Sequence, residues 1–214
     1  MSLPRELSPV EVRILGCLIE KQATTPDQYP LTLNSLTTAC NQKSSRHPVT
    51  SYEIGEIGHA LRQLGDLRLV SESRASRAAK YEHHFAEVVQ VLKKELAVLC
   101  VLMLRGAQTP GEVRTRCQRI HEFDDLDDVV YVLDRLIERE PALVQRVPRG
   151  AGQKDDRYVH LLSGEPSAEL LAAPAASATS AGARSLLAQQ VADLTERVEA
   201  LEEQLARLGP RPMD

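Results

Sequence analysis

Ala23-Thr24-Thr25-Pro26 recurs as Ala107-Gln108-Thr109-Pro110, and each tetrad follows an apolar helical stretch. Behind these anchors Cys40 matches Cys117, and Leu61-x-x-Leu64 matches Leu133-x-x-Leu136. Leu69-Val70 then matches Leu143-Val144, and Lys80-Tyr81-Glu82-His83 matches Arg157-Tyr158-Val159-His160. The order is kept while the spacing drifts, as insertions in surface loops require. An internal duplication limits the fold severely, because two units of about 75–80 residues must each bury a small core by the same plan. Two domains are expected, over residues 6–86 and 87–163.

Hydrophobic spacing and turn residues predict three helices and a hairpin in each repeat. In the first, Ser8-Pro9-Val10-Glu11 is a capping box with proline at the first helical position, and Val12, Leu15, Leu18 and Ile19 follow on one face. A short second helix is expected over residues 33–40. The third opens at a Thr50-x-x-Glu53 box and turns Ile54, Ile57, Leu61 and Leu64 inward. Residues 68–85 alternate around a polar, alanine-rich centre, as two strands joined by a tip do. In the second repeat the first helix is expected over 87–105, carrying Val88, Val91, Leu92 and an apolar run over 96–104. Thr109-Pro110-Gly111-Glu112 caps the second helix. Asp124 or Asp125 caps the third, whose inward residues are Val129, Val132, Leu133, Leu136 and Ile137. A hairpin follows from Ala142 to Leu162 with residues 148–152 at its tip. Three helices followed by a hairpin is the winged-helix order, a helix-turn-helix with a β appendage. The expected fold class is mainly α with small β-hairpins (α+β), as tandem winged-helix (helix-turn-helix) domains.

The stretch LTLNSLTTACNQKSSRHPV (31–49), the opening LSPVEVRILGCLIEKQ (7–22) and the closing RYVHLL (157–162) resemble the YceH-like family of uncharacterised bacterial proteins. The resemblance spans about residues 6–162, and Asn41-Gln42-Lys43 is its most specific part. It implies tandem winged helices and carries no activity. The chain departs from the family at His47, where an acidic residue is typical.

The formal charge of −4 is uneven, because residues 165–214 hold eight acidic side chains against four basic ones. The repeats are close to neutral, so a basic patch must be local. It is expected at the hairpins, as Arg74, Arg77 and Lys80 in the first repeat and Arg146, Arg149, Lys154 and Arg157 in the second. With Lys43 and Arg46 of the loop before the third helix, these are candidate contacts to the phosphates of duplex DNA. Arg62 and Gln63 are the candidate base readers, since such side chains form paired hydrogen bonds with guanine or adenine. Against this, both third helices open on acid: Glu53 and Glu56, then Asp124, Asp125, Asp127 and Asp128. These carboxylates suit the helix dipole and repel phosphate. Two classes follow, a DNA-binding transcriptional regulator and an adaptor using its winged helices to bind protein.

An enzyme is not expected. The chain has no G-x-G-x-x-G, phosphate loop, G-x-S-x-G or H-E-x-x-H. No cofactor or metal is expected either: His83 and His84 face opposite sides of a strand, and residues 124–128 lack the glycine and final glutamate of a calcium loop. Seven aromatic residues and no tryptophan leave no stacking platform for single strands. The four cysteines, in apolar helical contexts without a C-x-x-C pair, suit reduced core thiols. MSLPRELSP lacks the apolar core of a secretory signal, and the run over 96–104 falls short of the roughly 20 residues that span a bilayer. A cytoplasmic protein without membrane contact is expected.

Residues 164–183 (GEPSAELLAAPAASATSAGA) have the composition of a flexible linker. Over 184–208 a heptad pattern puts Leu187, Leu194, Leu201 and Leu208 at d, and Val191, Val198 and Leu205 at a. Valine at a with leucine at d favours a parallel two-stranded coiled coil, so a homodimer is expected.

Overall fold

The Ser8 side chain accepts the Glu11 N–H while the Glu11 carboxylate accepts the Ser8 N–H at 2.8 Å, and helix α1 (Pro9–Thr24) runs from this reciprocal cap. The computed structural model describes residues 3–73, 78–150 and 153–166, all within one unit over residues 1–171. After α1 come a 3-10 turn (Pro26–Gln28), strand β1 (Leu31–Thr32), α2 (Leu33–Cys40), α3 (Ile54–Asp66), β2 (Val70–Ser73) and β3 (Lys80–His83). The second repeat continues as α4 (Phe85–Val89), α5 (Lys93–Arg105), α6 (Pro110–Cys117), α7 (Leu126–Ile137), β4 (Val144–Val147) and β5 (Arg157–His160). Among the described residues this is an α+β fold of seven helices and two small antiparallel sheets, ordered β1-β3-β2 and β4-β5. The two hairpins share a register: Val70 faces His83 and Ser73 faces Lys80, as Val144 faces His160 and Val147 faces Arg157.

Two helix starts differ from expectation. Helix α3 begins at Ile54, not at a Thr50 cap, because Glu53 takes the cap position and its N–H bonds to the Glu56 carboxylate at 2.7 Å. Thr50 instead donates to the Cys40 carbonyl, and Asn41 bonds both the N–H and the carbonyl of Tyr52 at 2.8 Å. These bonds hold the α2–α3 loop as a folded segment that the helix cannot absorb. Ile54 then lies at the first helical position and is 50% exposed, not inward. The long helix expected over 87–105 is split: Gln90 adopts a left-handed conformation (φ 57°) that ends α4. Leu92 consequently caps α5 and is 60% exposed.

The repeats meet along α1 and α5, within one continuous core. Gly16 allows the close approach, since a Cβ there would stand 2.8 Å from Leu104 Cδ2, and the Cys100 thiol donates to the Gly16 carbonyl at 3.4 Å. The Leu7 N–H bonds the Leu162 carbonyl and the His47 N–H the Leu104 carbonyl, both at 2.8 Å, which ties each repeat to the other at its margins. Fully enclosed side chains such as Ile14, Leu18, Leu99 and Leu102 each contribute about 1.5–3 kcal/mol of apolar burial. All four cysteines are unbridged and buried. Among the described residues no helix is long and apolar enough to cross a membrane. The linker beyond residue 166, the heptad segment and the tip residues Arg74 and Arg77 lie outside the described residues.

Candidate nucleic-acid interface

Helix α3 turns Arg62 to solvent at the rim of a groove of about 380 Å³ between the helix and the β2–β3 hairpin. Leu33, Leu61 and Val70 line the groove, with Gly58 and Gly65 on its helical side and Glu72 and Tyr81 on the hairpin. The outer surface of α3 is low: a Cβ on Gly55 would meet nothing within 4 Å, and one on Gly58 only Leu33 Cδ2 at 4.0 Å. Lys43 is exposed in the preceding loop, and Lys80 is half-buried on β3. The side chains of Lys43, Arg62 and Lys80 form no hydrogen bond or ion pair among the described residues. Gln63, the other candidate base reader, is half-buried.

Arg46 must be struck from the phosphate contacts. It is 6% exposed, with Nη2 at 2.6 Å and Nη1 at 3.1 Å from the Glu20 carboxylate. Its Nε donates to the Ala39 carbonyl at 3.1 Å. A guanidinium taken out of water needs its donors satisfied, and here α1 and α2 satisfy them. Arg13 is buried likewise, donating to the carbonyls of Cys40 and Pro48. Together the two arginines anchor the loop that carries Lys43.

The second hairpin engages its cations internally. Arg146 Nε donates to Asp156 at 2.6 Å, and the other Asp156 oxygen accepts the Arg149 N–H at 2.9 Å. The Arg149 N–H and then Arg146 hold the Asp156 carboxyl below its ordinary range. The Arg149 guanidinium folds back on the Lys154 carbonyl. Arg157, its side chain only 14% exposed, donates to the Ala107 carbonyl at 2.9 Å and to Glu112 at 3.0 Å. It too is withdrawn from phosphate, while the Lys154 side chain stays exposed. On α7, Asp125 caps the Asp128 N–H, and the Asp128 carboxylate accepts from Lys94 at 2.7 and 2.8 Å.

The adjacent histidines take separate partners, His83 Nε2 beside Gln22 Oε1 and His84 Nε2 beside the Ser71 hydroxyl, each at 2.9 Å. Burial, with the nearby His84, pushes His83 down to about 4; burial does the same to His160 at the matching position. Among the described residues no group of three or more His, Cys, Asp or Glu gathers as a metal site would need.

With this geometry in place, the family model described as "Protein of unknown function, DUF480" matches residues 7–153. The chain belongs to the DUF480 family. A UPF0502 protein of Vibrio atlanticus is 47% identical over 209 residues, covering 94% of both chains. A UPF0502 protein of Xanthomonas axonopodis pv. citri is 47% identical over 207 residues, covering 97% of this chain and 91% of its own. One from Stenotrophomonas maltophilia is 45% identical over 205 residues, covering 94% of each. None of these DUF480 or UPF0502 names carries an activity, so function rests on the surfaces themselves.

Sequence patterning overlooked three exposed apolar residues, Val49 (56%), Leu126 (45%) and Tyr131 (61%). For Tyr131 the signal was present, since it falls off the 129-132-133-136 stripe that α7 buries.

Proposed function

We propose that this DUF480 protein is a cytoplasmic, non-enzymatic tandem winged-helix protein that binds duplex DNA through its first repeat and acts in transcription. In this reading α3 is the groove helix and β2–β3 the wing. One observation carries it: Lys43 in the loop before α3, Arg62 on α3 and Lys80 on β3 form no ion pair among the described residues, while glycines keep the helix surface low enough for close approach. Arg62 is about two helical turns beyond the exposed Glu53 and Glu56 and one turn before the exposed Asp66, so the approach is by the later half of α3, away from the paired carboxylates at its start. Pairing of two chains through residues 184–208 belongs to the same proposal, since a two-fold dimer matches two half-sites.

Titrating salt against binding to random-sequence duplex tests it. Removing one lysine–phosphate pairing should lower the slope of log K against log salt by about one, so Lys43→Ala/Lys80→Ala should lower it by about two. Absence of binding at low salt would sink the proposal and leave the adaptor.

A further inference from the structure

On α7 of the second repeat and its C-cap, Asp127, Tyr131, Asp134 and Glu138 follow at helical spacing, and all four are exposed. Three residues before Tyr131 and four after it, Asp128 and Arg135 reach across to α5, Asp128 to Lys94 at 2.7 Å and Arg135 to Glu95 at 3.2 Å. Between these two ties along α7 Tyr131 is 61% exposed, and Leu92, which caps α5, is exposed as well. An exposed large aromatic flanked by ion pairs is the composition of an interface centre. Beneath it lies Glu95, only 2% exposed, whose Oε2 accepts the Leu92 N–H at 2.8 Å. Its Oε1 makes no hydrogen bond among the described residues and meets only the ionic approach of Arg135.

We propose that this α5–α7 face docks a protein segment carrying arginine or lysine about one helical turn either side of an apolar anchor. Charge selects this occupant. Asp127 and Glu138 form no ion pair or side-chain hydrogen bond among the described residues, Asp134 lies in the field of Arg146, and the cations Lys94 and Arg135 are engaged by Asp128 and Glu95, so the charge left facing outward is acidic. Nucleic acid is repelled, a second molecule meeting it through the same face brings the same acidic stripe, and residues 165–214 hold eight acidic against four basic side chains. A basic segment meets the carboxylates with its cations, and one of these packs on the Tyr131 ring.

The full chain is titrated with a synthetic helical peptide whose lysines and arginines flank a leucine stripe, and with a counterpart carrying glutamate at the charged positions. Fluorescence anisotropy reads affinity and backbone NMR shifts read the site. The basic peptide alone should bind, shifting resonances of α7 and the first turn of α5. Tyr131→Ala and Asp127→Lys should each weaken it about tenfold or more, and Tyr131→Phe should retain it. Melting temperature and DNA affinity should stay unchanged, because Tyr131 is outside the core and the DNA proposal uses other residues. Equal binding by Tyr131→Ala, or shifts elsewhere, overturns the inference. So does a fall in sedimenting mass on Tyr131→Ala, which would make another molecule of this chain the occupant.

Discussion

Lys80 in the first hairpin and Arg157 in the second occupy the same register and have opposite fates. Lys80 stands across from Ser73 and Thr32, with no acidic partner among the described residues. Arg157 is held by Glu112, and its neighbour Arg146 by Asp156. The third helices diverge too: α3 offers glycines and Arg62, whereas α7 offers acid around Tyr131. The two repeats share core positions and the strand-end histidines and differ in the charged neighbours. Whether a cation is free to meet a ligand depends on those neighbours, so one backbone plan carries two different surfaces.

The largest effect separating the repeats is expected at their arginines. Arg46→Ala strips the Glu20 carboxylate of its partner inside the first repeat and should cost about 3–5 kcal/mol in urea unfolding. Arg146→Ala removes an exposed pair and should leave the urea midpoint within error. Equal destabilisation by the two would break the contrast.

The next effect should be common to both repeats. His83 and His160 are neutral when folded, with values near 4 against an ordinary 6.5. Below pH 6.5 the unfolded chain takes up protons that the folded one refuses. The stability present above pH 6.5 is therefore lost as pH falls toward 4, by up to about 1.4 kcal/mol per pH unit for each histidine. His83→Gln and His160→Gln should each flatten that slope in urea melts between pH 4 and 7. A flattening by only one of them would show that the matched positions no longer play the same part.

The smallest effect is expected at the seam. Gly16→Ala pushes a methyl group into Leu104 and should cost about 1–3 kcal/mol, read as a lower melting temperature. A single lowered transition would fit repeats that unfold together through α1 and α5, and two separated transitions would not.

Much of the architecture was legible residue by residue. The Ser8 and Thr109 capping boxes, the bounds of α2 and the buried stripe of α7 are all where local pattern puts them, and of Asp124 and Asp125 it is Asp125 that caps α7. Thr50 misled because a capping motif marks a helix start only if the chain is not already tied elsewhere, and Asn41 and Cys40 tie it. Leu92 misled because an apolar spacing runs on through Gln90, whose left-handed turn breaks the helix.

The sequence by itself determined the Ser8 and Thr109 caps and the buried stripe of α7, because those depend on residues within about four positions of each other. Only the tertiary structure decided which cations face outward. Arg46 meets Glu20 across 26 positions and Arg157 meets Glu112 across 45. Over such separations helix packing, not local spacing, selects the partner of a charge.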